Sequence, residues 1–237
     1  MVVKKDVLIF GYGRFGSSIA KSIREYGANV RVAVNNKDEF KKAREDKMEV
    51  EHFNLENDDS IKKLDIKEDL YLICAMDNNH ENLFLSLSLR DMFSQIYILA
   101  ISDSIHVSDK LRMAGANRVI DIYTISGNLI KNILNIPVAT KFLQGFINKS
   151  HDYIFKEIKI GEKSHLNGKK LSEVDFRRYN IIFIGMIDEE LGNQFVFNTV
   201  GFDHKIDEHD TIVCVGKEQD IYRFQLECAG ESLWKLQ

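Results

Sequence analysis

The sequence holds one proline, one tryptophan and three cysteines in 237 residues. The cysteines, Cys74, Cys214 and Cys228, lie far apart and form no CxxC pair, which excludes a zinc knuckle and a thioredoxin motif. Cys74 and Cys214 sit inside apolar runs, as core cysteines do, and a reducing cytoplasmic setting is expected. Long hydrophobic runs are missing. The most apolar stretches, residues 70–76 and 181–187, fall far short of the about 20 residues that a membrane-spanning helix needs. The start, MVVKKDVLIFGYG, has no signal-peptide apolar region followed by a cleavage site; its apolar residues run straight into glycines. Basic excess is absent too, with 32 basic against 36 acidic residues, so nucleic acid is not an expected partner. No GxSxG, HExxH or P-loop lysine is present. The second half offers no evident acid/base residue for a dehydrogenase.

What remains is the composition of a folded chain. Hydrophobic residues make up 44% and charged residues 29%, which excludes a disordered chain and a collagen-like repeat. At roughly 150 residues per domain the length fits one or two domains. Residues 7–10 read as a strand, followed by glycines and a helix over 14–26 with Phe15, Ile19, Ile23 and Tyr26 at helical spacing. Further strands read at 29–34, 50–53, 70–75, 96–101 and 118–122, with helices at 38–46, 61–64, 82–90 and 104–114. The alternation predicts an α/β fold: a Rossmann-like, doubly wound parallel sheet over residues 1–123.

Residues 124–150 change character. Ile125, Leu129, Ile133 and Leu134 make one apolar stripe; Val138, Phe142 and Phe146 make another after Pro137, which suits the first position of a helix. These connector helices pack either on their own chain or in an oligomer interface. Residues 151–237 read as a smaller α+β lobe. Its strands fall at 154–160, 181–187, 195–197 and 211–215, with a short helix at 170–176 and a closing helix at 218–228. Leu191-Gly192-Asn193 reads as a hairpin turn.

The strongest motif is Gly11-Tyr12-Gly13-Arg14-Phe15-Gly16, a GxGxxG between a strand and a helix. In that setting Gly11 permits the tight turn, Gly13 admits a pyrophosphate and Gly16 lets helix and strand pack closely. The helix N-terminus supplies free N–H groups for phosphate. The acid that usually follows about 20 residues on, to hold a ribose, is here Asn35. An amide bonds a ribose without the strength of a charge and does not repel a 2′-phosphate. Ala75 ends the fourth strand and Met76 and Asp77 follow it at its carboxyl end, and Asp77-Asn78-Asn79-His80-Glu81 either borders a nucleotide or caps a helix. His204, Asp207, Glu208, His209 and Asp210 match no zinc spacing and read as a solvated turn.

The ordered set GYGRFG (11–16), ICAMDNNHENL (73–83), LRMAGANRVI (111–120), ISGNLI (125–130), SHLNGKKLSEV (164–174) and HDTIVCVGKEQDI (209–221) resembles the regulator-of-K⁺-conductance (RCK) proteins. These combine a TrkA-N Rossmann domain with a TrkA-C lobe in potassium channels and Ktr/Trk-type transporters. The resemblance covers nearly the whole chain. It implies a non-catalytic, ligand-sensing regulator of potassium flux, built as a dimer or an octameric gating ring. The ring lies at the inner face of the membrane against a channel or transporter pore. It also implies an adenine nucleotide (NAD(H), ADP or ATP) at Gly11, Gly13, Arg14, Phe15, Gly16, Asn35, Ala75, Met76 and Asp77, with Arg14 beside the phosphates. In channel-type members a calcium ion can take the ligand's role. Asn35 in place of the acid, and Ile101 where a basic residue often stands, depart from the pattern. The rival readings are an NAD(P)-dependent oxidoreductase and a soluble nucleotide sensor.

Overall fold

The computed structural model describes residues 6–147, 152–190, 192, 194–199 and 203–229. The chain divides into two compact units, with the break between Asn132 and Ile133.

The first unit alternates strand and helix: β1 (Asp6–Phe10), α1 (Arg14–Glu25), β2 (Asn29–Val34), α2 (Lys37–Glu45), β3 (Glu49–His52), α3 (Asp58–Lys62), β4 (Tyr71–Cys74), α4 (Asn79–Met92), β5 (Tyr97–Ser102), α5 (Ile105–Met113), β6 (Arg118–Asp121) and most of α6 (Ile122–Asn135), within which the break falls. The strands form one parallel sheet in the order β3-β2-β1-β4-β5-β6. This is the Rossmann-like arrangement expected, and its order reverses between β1 and β4.

Two cores follow from the two-residue period of a strand. Leu8, Phe10, Leu72, Cys74 and Ile98 face one side, where Leu85 and Leu89 of α4, Leu111 of α5 and Ile61 of α3 cover them. Val7, Ile9, Val32 and Val34 face the other, where Ala20 of α1 and Ala43 of α2 are buried against them. On that second face Tyr71, Leu99 and Ile120 of β4, β5 and β6 stay half-exposed. They line a groove of about 630 Å³ together with Tyr97, Arg112, Arg118, Asp121 and Ile125. Helix α6 starts where the Asp121 carboxylate accepts the Thr124 N–H at 2.7 Å, a bond that holds this carboxyl below the usual carboxylate range. It buries none of its residues, and Ile125, Leu129, Ile130 and Ile133 are exposed.

Helix starts differ from the sequence reading by up to three residues, because side-chain caps set them. The Asn57 side chain accepts from the Asp59 N–H and starts α3 early; Asn78 does the same for α4 through the His80 N–H.

The second unit holds α7 (Pro137–Ile147), β7 (Tyr153–Lys159), β8 (Ile182–Asp188), β9 (Gln194–Phe197), β10 (Thr211–Lys217) and α8 (Glu218–Cys228). Its sheet is antiparallel in the order β7-β10-β8-β9. Ile221, Phe224 and Cys228 of α8 close over Ile158, Phe183, Ile212 and Cys214. The short helix expected over 170–176 is instead two 3₁₀ turns, Leu171–Glu173 and Phe176–Tyr179. Val174 is extended between them, and the Asp175 carboxylate accepts the Arg177 N–H to start the second turn. Of the turn expected at 191–193, Leu191 and Asn193 lie outside the described residues, as do residues 148–150 of the connector. Asp210 is buried and accepts the N–H groups of Asp207 and Glu189, while Lys205 pairs with Asp207 at 2.7 Å. Among the described residues no group of three or more His, Cys, Asp or Glu side chains is placed to hold a metal ion, and no helix is long and apolar enough to cross a membrane.

Candidate functional site

The carboxyl ends of β1 and β4 meet at the point where the strand order reverses. Gly11 leaves β1 with a φ of +96°, a conformation that side-chain-bearing residues rarely adopt. Its N–H donates to the Ala33 carbonyl at 2.8 Å, and a Cβ there would stand 2.8 Å from the Met76 Cα. Gly16 lies inside α1 against the turn, where a Cβ would stand 2.0 Å from the Gly11 carbonyl oxygen. Gly13 is the N-cap of α1 and has no side chain with which to satisfy the helix's free N–H groups.

Those N–H groups are satisfied from elsewhere. Both oxygens of the Asp77 carboxylate accept the Arg14 N–H at 3.0 Å, and Oδ1 accepts the Phe15 N–H at 3.4 Å. The Arg14 Nε stands 3.5 Å from the same carboxylate, with its guanidinium over the Phe15 ring. The Tyr12 N–H donates to Oε2 of Glu39 at 2.5 Å. Lys42 Nζ approaches the Ser17 Oγ at 3.2 Å and the Gly13 carbonyl at 3.4 Å. The Tyr12 side chain runs into the core, and its hydroxyl donates to Asp46 at 2.9 Å. Burial, then the hydrogen bond to Asp46, push the Tyr12 phenol up to about 12.

The β4 side is just as determined. Ala75 donates to the Phe10 carbonyl at 2.9 Å, which ties the two strand ends together. Asn82 is fully buried on α4. Its Oδ1 accepts the Met76 N–H at 2.9 Å, and its Nδ2 donates to the carbonyls of Met76 at 2.9 Å and Ile101 at 3.1 Å. Asp77 and Asn78 divide their tasks: Asn78 caps α4, while Asp77 reaches across to α1. Asn35 follows β2, and its side-chain oxygen accepts from Asn36, which caps α2.

The structure therefore gathers Gly11, Gly13, Arg14, Phe15, Gly16, Ala75, Met76 and Asp77 at one crevice, with Asn35 at the end of the neighbouring strand. Sequence reading missed Glu39, Lys42 and Asn82. Glu39 and Lys42 had a faint signal, since both lie in the turns that follow the Asn36 cap. Asn82 had none beyond being polar in an apolar helix.

A parallel sheet with this glycine turn at its reversal point defines a Rossmann-type domain. Residues 7–122 match the model of the TrkA-N domain family. Two relatives come from Methanocaldococcus jannaschii. Probable potassium channel protein 2 is 29% identical over 184 residues, which covers 74% of this chain and 53% of the relative. Potassium channel protein 1 is 30% identical over 168 residues, covering 66% and 49%. The chain thus spans about half the length of the curated relatives it matches. Among solved structures, the GsuK channel matches 97% of this chain and 39% of its own, with 16% identity and a TM-score of 0.50. The TrkA-N domain of the Escherichia coli inner membrane protein ybaL matches 57% of this chain and 100% of its own, with 20% identity and a TM-score of 0.50. These structural likenesses are likenesses of fold.

Proposed function

We propose that the chain is the ligand-sensing regulatory part of a potassium channel or transporter, of the RCK type, with residues 151–237 as its TrkA-C lobe. It works without catalysis, at the inner face of the membrane. The single observation that carries the nucleotide reading is the glycine turn at the β1/β4 reversal point of the segment that matches the TrkA-N model, with the N–H groups of Tyr12, Arg14 and Phe15 turned to one crevice. Those donors suit the phosphates of an adenine nucleotide, NAD(H), ADP or ATP. Arg14 supplies a cation beside them, and Asn35 stands at the ribose position. The channel names of the two M. jannaschii relatives support the potassium reading.

The connector stripes and the half-open groove over β4–β6 support self-assembly, as a dimer and then a ring. Assembly matters because a ligand shifts gating only by its differential affinity for two states, and a ring combines that difference over several sites. The test has two arms. Light scattering of the purified protein is expected to show a dimer or larger species, and a strict monomer at high concentration refutes the assembly. An adenine nucleotide is expected to raise the melting temperature of the wild type. Gly13→Asp, which places a further carboxylate in the crevice, is expected to abolish that shift; a full shift in the variant moves the site elsewhere.

A further inference from the structure

The donors that would hold phosphate are already occupied by two carboxylates. Asp77 takes the N–H groups of Arg14 and Phe15, and Glu39 takes that of Tyr12. Asp77 also fills the space that glycine leaves open: a Cβ on Gly13 would lie 2.5–2.7 Å from its carboxylate atoms. Neither carboxylate is needed to finish its own element. Asn78 caps α4 and Asn36 caps α2. Both acids are only partly covered, and the Asp77 side chain is 35% exposed, so each is free to swing outward. Two cations, Arg14 and Lys42, balance the two anions at the loop.

We infer that Asp77 and Glu39 are built-in competitors for the phosphate seat, displaced by a nucleoside diphosphate one carboxylate for each phosphate. The inference rests on the reading that this loop binds an adenine nucleotide. It follows that the two acids lower affinity and favour a diphosphate over a monophosphate. A diphosphate reaches both seats and replaces both carboxylates, whereas a single phosphate displaces one acid and leaves the other in place beside it. Binding also frees the β4–α4 corner and the first turn of α2 from the loop, two segments that are far apart in sequence and held together by these hydrogen bonds.

The test is calorimetric titration of the full chain with ADP and with AMP, and with ATP and NAD(H) as controls for the site, in magnesium-free buffer, for wild type, Asp77→Ala and Glu39→Gln. Asp77→Ala is expected to bind ADP about tenfold more tightly, equal to about 1.4 kcal/mol, and Glu39→Gln several-fold more tightly. The preference of the wild type for ADP over AMP is expected to shrink in both variants. Should Asp77→Ala fail to fold by circular dichroism, Asp77→Asn, which keeps an acceptor oxygen but no charge, is expected to gain a smaller, several-fold affinity. Equal or weaker ADP binding by the folded Asp77 variants, beside a wild type that binds, overturns the inference and leaves the nucleotide reading standing. So does an Asp77→Ala that loses affinity when magnesium is added, since the carboxylate then holds a cation that travels with the nucleotide. Absence of ADP, AMP and NAD(H) binding in the wild type and both folded variants removes the nucleotide reading itself, and the inference with it.

Discussion

Asn82→Ala isolates the support beneath the crevice. The wild-type amide makes three hydrogen bonds, to the Met76 N–H, the Met76 carbonyl and the Ile101 carbonyl, at 2.9, 2.9 and 3.1 Å. Alanine leaves all three backbone groups without that partner, and Met76 is only 4% exposed. A buried polar group stripped of its partner costs about 1–3 kcal/mol. At the low end of that range for each group, the variant loses about 3 kcal/mol, a large share of the 5–15 kcal/mol typical of a folded chain. Asn82→Asp separates hydrogen bonding from packing. The introduced carboxylate still accepts from Met76, but its second oxygen faces two carbonyls in a buried place, and burial disfavours the charged form. This variant is expected to be worse than alanine at neutral pH. Its folded-state pKa is raised, so its deficit shrinks as the pH falls and a proton restores one donor. Urea unfolding followed by circular dichroism measures both losses, and hydrogen exchange at the Met76 amide reports the local opening. A loss below 1 kcal/mol for alanine, or equal stability of the aspartate variant and wild type at neutral pH, refutes the reasoning.

Gly16→Ala and Gly13→Ala are expected to differ sharply. The first drives a Cβ to 2.0 Å from a backbone oxygen that cannot retreat and costs about 3 kcal/mol or more; the second meets first the part-exposed Asp77 carboxylate, the end of a side chain that can rotate, and costs about 1 kcal/mol. Thermal unfolding of the two variants side by side checks the order. Tyr12, pushed up to about 12 from the ordinary 10 by burial and by its bond to Asp46, contributes stability that is complete below pH 10 and is lost as the pH rises through 12. Tyr12→Phe is therefore expected to show a flatter fall of stability over that interval than wild type in alkaline urea titrations. Burial pushes the thiols of Cys74 and Cys214 up to about 12 and raises that of Cys228 as well, so none is expected to react with Ellman's reagent at pH 8 until the chain unfolds. A thiol titrating in the native protein counts against this packing.

The sheet was legible because each strand is a short apolar run between turn residues, and because Leu8 and Phe10 alternate with Val7 and Ile9 across it. Element ends were less so. Asn57 and Asn78 start their helices through side-chain bonds that hydrophobic spacing does not register. The segment 170–176 carries helix-forming residues, yet Val174 extends and Asp175 begins a new turn. At the crevice the glycines announced themselves, since their spacing is dictated by contacts within one strand and one helix. The carboxylates did not. Asp77 meets Arg14 from 63 residues away and Glu39 meets Tyr12 from 27 residues away, distances over which periodicity says nothing about aim. Asn82 is a polar residue at the start of an apolar helix, and only the fold brings its side chain to the corner of β4.

These contacts sort the crevice into two parts of different character. Its frame is backbone against backbone: Gly16 against the Gly11 carbonyl, Gly11 against Met76, and Ala75 bonded to Phe10, with Asn82 buried behind them. Such contacts cannot yield without unpacking the sheet, because a close-packed interior offers no slack. The contents of the crevice are side chains on its rim, Asp77, Glu39, Arg14 and Lys42, each able to rotate into water. A change of occupant therefore leaves the frame standing and alters only which elements are tied to the glycine loop. The elements so tied are the β4–α4 corner and the first turn of α2, one on each side of β1. On the proposed reading, a ligand at this loop would act on both flanks at once, which is what a regulatory domain needs if it is to change shape without unfolding.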